Sequence, residues 1–211
     1  MLIAIDGPAA SGKGTVARRV ADEFGLVHMD TGRLYRLVGW ELLNRAKVDN
    51  REPVQMAIEI AQSINLANLN SPELETEDVG RAASIVSAIP EVRGALLELQ
   101  RRTAKSPIGA VLDGRDIGTV VCPQADFKFY ITADAEIRAR RRFEQLKRTK
   151  KDITEAQILQ DIIERDKRDS ERKVAPLVPA LDAIFIDTSR LDINEVFEKV
   201  AATIRERRKV C

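Results

Sequence analysis

Residues 7–15 read Gly-Pro-Ala-Ala-Ser-Gly-Lys-Gly-Thr and follow directly on the short apolar run Leu2-Ile3-Ala4-Ile5-Asp6. The run has the length and composition of a buried strand. Small residues in the following loop let backbone N–H groups crowd around a phosphate with little Cβ in the way. Lys13 adds a point charge for the terminal phosphates of a nucleotide, and Thr15 a hydroxyl. The sequence then continues as a helix over about 13–24, whose N-terminus favours anions. Strand, glycine loop, lysine, hydroxyl and helix in that order read as a phosphate-binding loop made of Gly7, Pro8, Ala9, Ala10, Ser11, Gly12, Lys13, Gly14 and Thr15. The pattern is Gly-x4-Gly-Lys with Gly14 where Ser or Thr is usual, so the hydroxyl comes one residue late.

Outward from this loop, apolar runs at 26–29, 109–113, 127–131 and 183–187 alternate with helical patterns. That alternation predicts an α/β fold, with a five-stranded parallel sheet wrapped by helices in three layers. The rhythm lapses over about 45–105, where helical patterns at 53–63, 76–88 and 90–103 predict an insertion. Thr154-x-x-Gln157 fits a capping box, with Ile153 and Ile158 placed as a hydrophobic staple, and predicts a helix over 154–172. With the helical stretch 134–148 and the basic turn 147–152 it makes a candidate lid. The expected division is a core of about 1–44, 106–138 and 173–211, the insertion 45–105 and the lid 139–172, within one domain.

The chain has 211 residues, 34 basic against 33 acidic, and a net charge of +1. That balance gives no global pull toward nucleic acid or membrane. Two cysteines and one histidine cannot make a four-ligand metal set. The N-terminus leads straight into the strand and phosphate loop without a secretory pattern, and the expected location is the cytoplasm. The chain is expected to act as a monomer.

Three charged clusters sit where ligands bind in such sheets. Asp30-Thr31-Gly32-Arg33-Leu34-Tyr35-Arg36 follows the second strand, with Asp30 and Thr31 as N-cap types and Thr31 and Arg36 placed to hold a second phosphate. Asp113-Gly114-Arg115-Asp116-Ile117-Gly118 follows the third strand. There Asp113 is placed to hold Mg²⁺ or its waters together with Thr15, Arg115 to reach a transferring phosphoryl and Asp116 to meet a base or sugar. Arg165, Asp169 and Arg172 share one face of a helix. Of the run Arg138-Ala139-Arg140-Arg141-Arg142, Arg141 is the candidate for ATP phosphates. His28 and Trp40 read as packing residues.

With these clusters in view, the chain resembles the bacterial cytidylate kinase family, enzymes that phosphorylate CMP and dCMP. Gly-Lys-Gly-Thr is the loop form of nucleoside-monophosphate kinases. The likeness also rests on Asp-Thr-Gly-x-x-Tyr-Arg at 30–36, Ala-Ala-Ser at 82–84, Pro-Glu-Val-Arg at 90–93, Asp-Gly-Arg-Asp-Ile-Gly-Thr-Val-Val at 113–121, Arg-Asp-x-Arg-Asp at 165–169 and Arg-Lys-Val-Ala-Pro-Leu at 172–177. It implies ATP as donor, CMP or dCMP as acceptor and Mg²⁺ as cofactor. It further implies that Ser84, Arg93 and Asp116 hold cytosine, and that Arg165 and Asp169 hold the sugar hydroxyls. Thr31, Arg36, Arg115 and Arg172 would surround the acceptor phosphate and the transferring group, with Lys13, Arg115, Arg172 and Arg36 carrying catalysis. The chain departs from the family at Thr31, where many relatives have Ser, and at 63–80, too short for the β-hairpin often found there. The alternatives are a kinase of UMP or AMP, and a regulatory phosphate-loop ATPase with no phosphoryl acceptor.

Overall fold

The computed structural model describes residues 1–49, 51–147 and 153–210. Five parallel strands, β1 (Leu2–Asp6), β2 (Val27–Asp30), β3 (Ala110–Gly114), β4 (Phe127–Thr132) and β5 (Ile184–Asp187), form one sheet in the order β2-β3-β1-β4-β5. The helices are α1 (Lys13–Phe24), α2 (Gly32–Arg45), α3 (Pro53–Gln62), α4 (Glu77–Val86), α5 (Pro90–Ala104), α6 (Ala135–Leu146), α7 (Glu155–Glu171) and α8 (Ile193–Val210). Most of the basic turn expected at 147–152 lies outside the described residues.

The two-residue period of the strands sorts the core into layers. Ile3 and Ile5 of β1 point to one face, where Val16, Ala17 and Val20 of α1 meet Val196, Val200 and Ile204 of α8. Ala4 points to the other face with Ala110 and Leu112 of β3, against Ile117, Val121 and part of α5. The sheet therefore lies between helical layers, and every strand delivers its C-terminal end to one edge. Thr154 and Gln157 form the expected capping box, with Ile153 packed beside the buried Ile158.

Residues 45–105 form three helices and two single 3-10 turns, at Leu66–Asn68 and Pro72–Glu75, with no strand among the described residues of that stretch. Helix α4 packs closely on α2. A Cβ at Gly39 of α2 would stand 2.9 Å from the Ala83 backbone nitrogen and 3.0 Å from Ala82 Cβ. Only hydrogen at this position lets the two helices approach so far, which brings Ser84 to the sheet edge.

Candidate active site

The phosphate loop is a constrained piece of backbone. Gly7 has φ +152°, and a Cβ there would lie 2.0 Å from the Ile131 carbonyl oxygen. Ala10 takes φ 58°, a left-handed conformation that costs a non-glycine residue about 1–2 kcal/mol. Gly12 starts α1 with φ 88°. Lys13 Nζ donates to the Pro8 carbonyl at 3.4 Å. Burial and the nearby Arg115 push its ammonium down to about 8. Ser11 Oγ is buried without a hydrogen-bond partner. A Cβ at Gly14 would stand 3.5 Å from Asp113 Oδ2, so the carboxylate at the end of β3 comes up against the loop.

A cavity of about 760 Å³ opens over this loop. It is lined by Ala9 through Thr15, by Arg36, Arg140, Arg141, Arg142 and Arg165, and by Thr188 and Leu191. A second, narrow cleft of about 50 Å³ is lined by Thr31, Tyr35, Ser84, Arg93, Arg115, Asp116, Arg165, Asp169 and Arg172 among others. Arg165 lines both. The chain thus brings three distant clusters, at 30–36, 113–118 and 165–172, to one place beside the phosphate loop.

Within the cleft, charges pair closely. Arg115 Nε donates to Asp169 Oδ2 at 2.9 Å, and Ser84 Oγ donates to Asp169 Oδ1 at 3.1 Å. Arg93 pairs with Asp116 Oδ2, while Arg172 lies 3.5 Å from Asp116 Oδ1. Arg93 also lies over the Tyr35 ring, 5.5 Å from its centroid. Burial works against ionising Asp169, but Arg115 and Arg165 outweigh it and hold the carboxyl below its usual range. Burial likewise opposes the Arg115 charge, yet Asp169 more than compensates. Arg165 is less well served. Its Nε is buried with no hydrogen bond, 3.8 Å from Asp169 Oδ2, and burial beside Arg115 makes its charge costly. A Cβ at Gly80 of α4 would touch Arg36 at 3.3 Å and Arg165 at 3.6 Å, so both guanidinium groups crowd one glycine.

Three expectations meet different surroundings. Thr31 heads α2, but its backbone is already helical and its hydroxyl donates to the Asp113 carbonyl at 2.9 Å instead of capping the helix. The β2–β3 register brings that carbonyl within reach, a feature that local sequence does not carry. Arg141 lines the large cavity, but its guanidinium donates to Thr188 Oγ1 at 2.9 Å, to the Thr188 carbonyl at 2.6 Å and to the Leu191 carbonyl at 3.2 Å. Arg172 donates to the Ala175 carbonyl at 2.6 Å and to Ser87 Oγ at 3.1 Å. With its Asp116 contact, this sets Arg172 at the Asp116 end of the cleft, whereas Arg165 and Arg115 approach Lys13.

Sequence reasoning missed several residues. Asp6 ends β1, buried, accepting from Ile117 N and Gly118 N at 2.7 Å each. Burial pushes its carboxyl up to about 6. His28 Nε2 lies 2.8 Å from Asp113 Oδ1, and burial raises Asp113 against the pull of this partner. Arg138 donates to the Ala9 carbonyl of the phosphate loop at 3.2 Å and to Asp166 Oδ2 at 2.6 Å, tying loop to α7. The sequence signal for Asp6 was an acid closing an apolar strand; the partners of His28 and Arg138 have none.

A phosphate loop at the head of a parallel sheet, with an arginine-rich second cleft beside it, defines a nucleotide phosphotransferase of the nucleoside-monophosphate kinase class. Residues 3–206 match the family described as Cytidylate kinase. The chain is 50% identical over 208 residues to the cytidylate kinase of Xanthobacter autotrophicus, covering 99% of each, and 49% identical to that of Azorhizobium caulinodans, covering 99% and 100%. The cytidylate kinase of Methylocella silvestris is 51% identical over 207 residues, covering 98% of this chain and 94% of the relative. This chain belongs to the cytidylate kinase family. Among solved structures, an uncharacterized protein from Eubacterium ventriosum shares the fold with TM-score 0.56 at 14% identity, over 97% of this chain and 98% of that one. TT1252 from Thermus thermophilus does so with TM-score 0.50 at 16% identity, over 98% and 97%. No helix among the described residues is long and apolar enough to cross a membrane.

Proposed function

We propose that this protein transfers the γ-phosphoryl group of MgATP to CMP or dCMP, giving ADP and the nucleoside diphosphate. The observation that carries this reading is Arg165, a buried guanidinium with an unsatisfied Nε that lines both the phosphate-loop cavity and the second cleft. Such a donor at the junction of two sites suits a phosphoryl group passing between them. An oxygen of the acceptor phosphate attacks the γ-phosphorus, and the bond from that phosphorus to the β,γ-bridging oxygen breaks, leaving ADP. The acceptor oxygen is already ionised, so no general base is needed. Catalysis is positioning and charge neutralisation.

Roles follow position. Lys13 and the loop amides of Gly7–Thr15 hold the ATP phosphates. Arg36 and Arg115 cluster around the transferring group, where a guanidinium grips phosphate oxygens two at a time. Arg165, which the resemblance puts at the sugar, is assigned to the transferring group instead because it lines both cavities. Asp116 accepts from the cytosine N4 amine, while Arg93, Ser84 and Arg172 supply donors to its acceptors. Asp169 takes the sugar. UMP presents an O4 acceptor to Asp116, which disfavours it. The segments 45–105 and 139–172 flank the cavity as insertion and lid, and Arg142 of α6 reaches Glu77 of α4 at 2.6 Å across it.

The donor set fits Mg²⁺. Thr15 and Asp113 offer hard oxygens, and Asp113 abuts the loop at Gly14. Among the described residues no cluster of three or more His, Cys, Asp or Glu is present. When bound, Mg²⁺ neutralises charge on the β- and γ-phosphates.

An ADP-release assay with MgATP and, in parallel, CMP, dCMP, UMP and AMP tests the proposal. Turnover is expected to be strong with CMP and dCMP, weak with UMP and absent with AMP. Preference for UMP or AMP would overturn the base assignment, and ADP release indifferent to any acceptor would support an ATPase instead.

A further inference from the structure

The side chains of Arg115 and Asp116 are held from the cleft by Asp169, Arg93 and Arg172, whereas the backbone just after them is held from the strand side. Their loop leaves β3 at Gly114, where a Cβ would lie 2.5 Å from Thr31 Oγ1, and ends in a single π-helical turn, Ile117–Val121. Asp116 has to present its carboxylate to the cleft from the residue immediately before that turn. The first two N–H groups of the turn both point to one neighbour. Ile117 N donates to Asp6 Oδ1 and Gly118 N to Asp6 Oδ2, each at 2.7 Å. Asp6 is 3% exposed and lies in the central strand, so its position is set by β3 on one side and β4 on the other. A Cβ at Gly118 would approach Asp6 Oδ2 to 3.3 Å and the Lys128 side chain to 3.2 Å, so nothing larger than hydrogen fits there without a shift.

We infer that Asp6 is a positioning residue for base recognition: its carboxylate clamps the 117–118 backbone and thereby aims Asp116 at the acceptor base. A carboxylate suits the task because both oxygens accept, matching two converging donors, and charge-assisted bonds are the stronger kind. An amide has one acceptor and one donor, so it satisfies one N–H and opposes the other. The ionised group is kept in an apolar strand, where its carboxyl is pushed up to about 6 chiefly by burial. A buried charge retained at such a cost, with both carboxylate oxygens bonded to the loop that reads the base, points to the loop as its purpose. Arg93 and Arg172 pull on Asp116 from the cleft side, and Asp6 anchors the backbone from the strand side.

This inference rests on the CMP-kinase reading, and the test separates the two. Wild type, Asp6→Asn and Gly118→Ala are compared for KM of CMP, KM of ATP, the CMP to UMP ratio of kcat/KM, and thermal unfolding. Wild-type turnover with CMP establishes the reading itself. In Asp6→Asn the KM for CMP is expected to rise about tenfold and the CMP to UMP ratio to fall, the KM for ATP holding within twofold. If Asp6→Asn does not fold, Gly118→Ala, which presses on the same clamp from the loop side, is expected to show the same split. A variant that loses thermal stability while keeping both the KM for CMP and the CMP to UMP ratio would overturn the inference. So would an equal rise in both KM values, or no change at all.

Discussion

Arg115 Nε and Asp169 Oδ2 stand 2.9 Å apart, although 54 positions separate them in the chain. This contact joins the loop after β3 to the last turns of α7. It brings an arginine of the phosphoryl path and a carboxylate of the second cleft into one buried unit, with Ser84 of α4 on the other carboxylate oxygen. Three chain segments thus meet on a single side chain.

Asp169→Ala is therefore expected to be costly in two ways. Removing one partner of a buried pair leaves Arg115 beside Arg165 and Lys13 without its hydrogen-bonded counter-charge, Asp166 and Asp30 acting on it more weakly, a loss of about 3 kcal/mol in stability. The KM for CMP should rise at least about tenfold, while the KM for ATP changes little. Denaturant unfolding and steady-state kinetics check both.

Lys13 gives a pH signature. Its folded value near 8 lies below the ordinary 10.5, so the charged form is disfavoured in the free protein. ATP phosphates favour that charged form, and binding takes up a proton as pH passes 8. Affinity for MgATP should then fall about tenfold between pH 7 and pH 9. Calorimetry at pH 8.5 in two buffers of different ionisation enthalpy should register the uptake, and Lys13→Met should remove the slope. The same shift acts on stability with the opposite sense. A lysine with a depressed folded value costs stability below about 8, and the cost fades as pH rises toward 10.5.

Arg172 touches Ser87 and Asp116, whereas Arg165 lines the cavity that Lys13 also lines. Arg165→Ala is expected to cut kcat by about a hundredfold or more, as loss of a donor to the transferring group does. Arg172→Ala should cut kcat by more than about tenfold and also raise the KM for CMP, because it unbalances Asp116. Both variants should stay folded by circular dichroism. A loss of kcat in Arg172→Ala with the KM for CMP unchanged would place Arg172 at the phosphates instead.

Gly39 links a packing detail to the cleft. A methyl group there meets the Ala83 backbone, and strain of this kind costs about 1–3 kcal/mol. Gly39→Ala should lower the melting temperature. It should also weaken CMP more than ATP, since α4 carries Ser84. Equal effects on the two substrates would contradict that link.

Much of this was legible in the chain. Each strand falls within a residue of its expected bounds, because apolar runs bounded by glycine or polar residues have little freedom in a parallel sheet. The capping box at Thr154 and Gln157 is local chemistry and reads directly. Positions that depend on register were not legible. Asp6 closes an apolar run and reads as strand, yet its two acceptors face a turn 111 and 112 positions away. His28 reads as packing, but the β2–β3 register sets it beside Asp113. In the 138–142 run, helical phase decides that Arg138 turns inward to the Ala9 carbonyl while Arg141 grips the 188–191 turn. Composition cannot rank these arginines.

The most direct measurement is the ratio of kcat/KM for CMP to that for UMP, in wild type and in Asp116→Asn. The wild-type preference for CMP is expected to fall at least about tenfold in the variant, because the amide can donate to the O4 of uracil where the carboxylate repels it. A ratio unchanged by the substitution would contradict the assignment of Asp116 as the residue that reads the base.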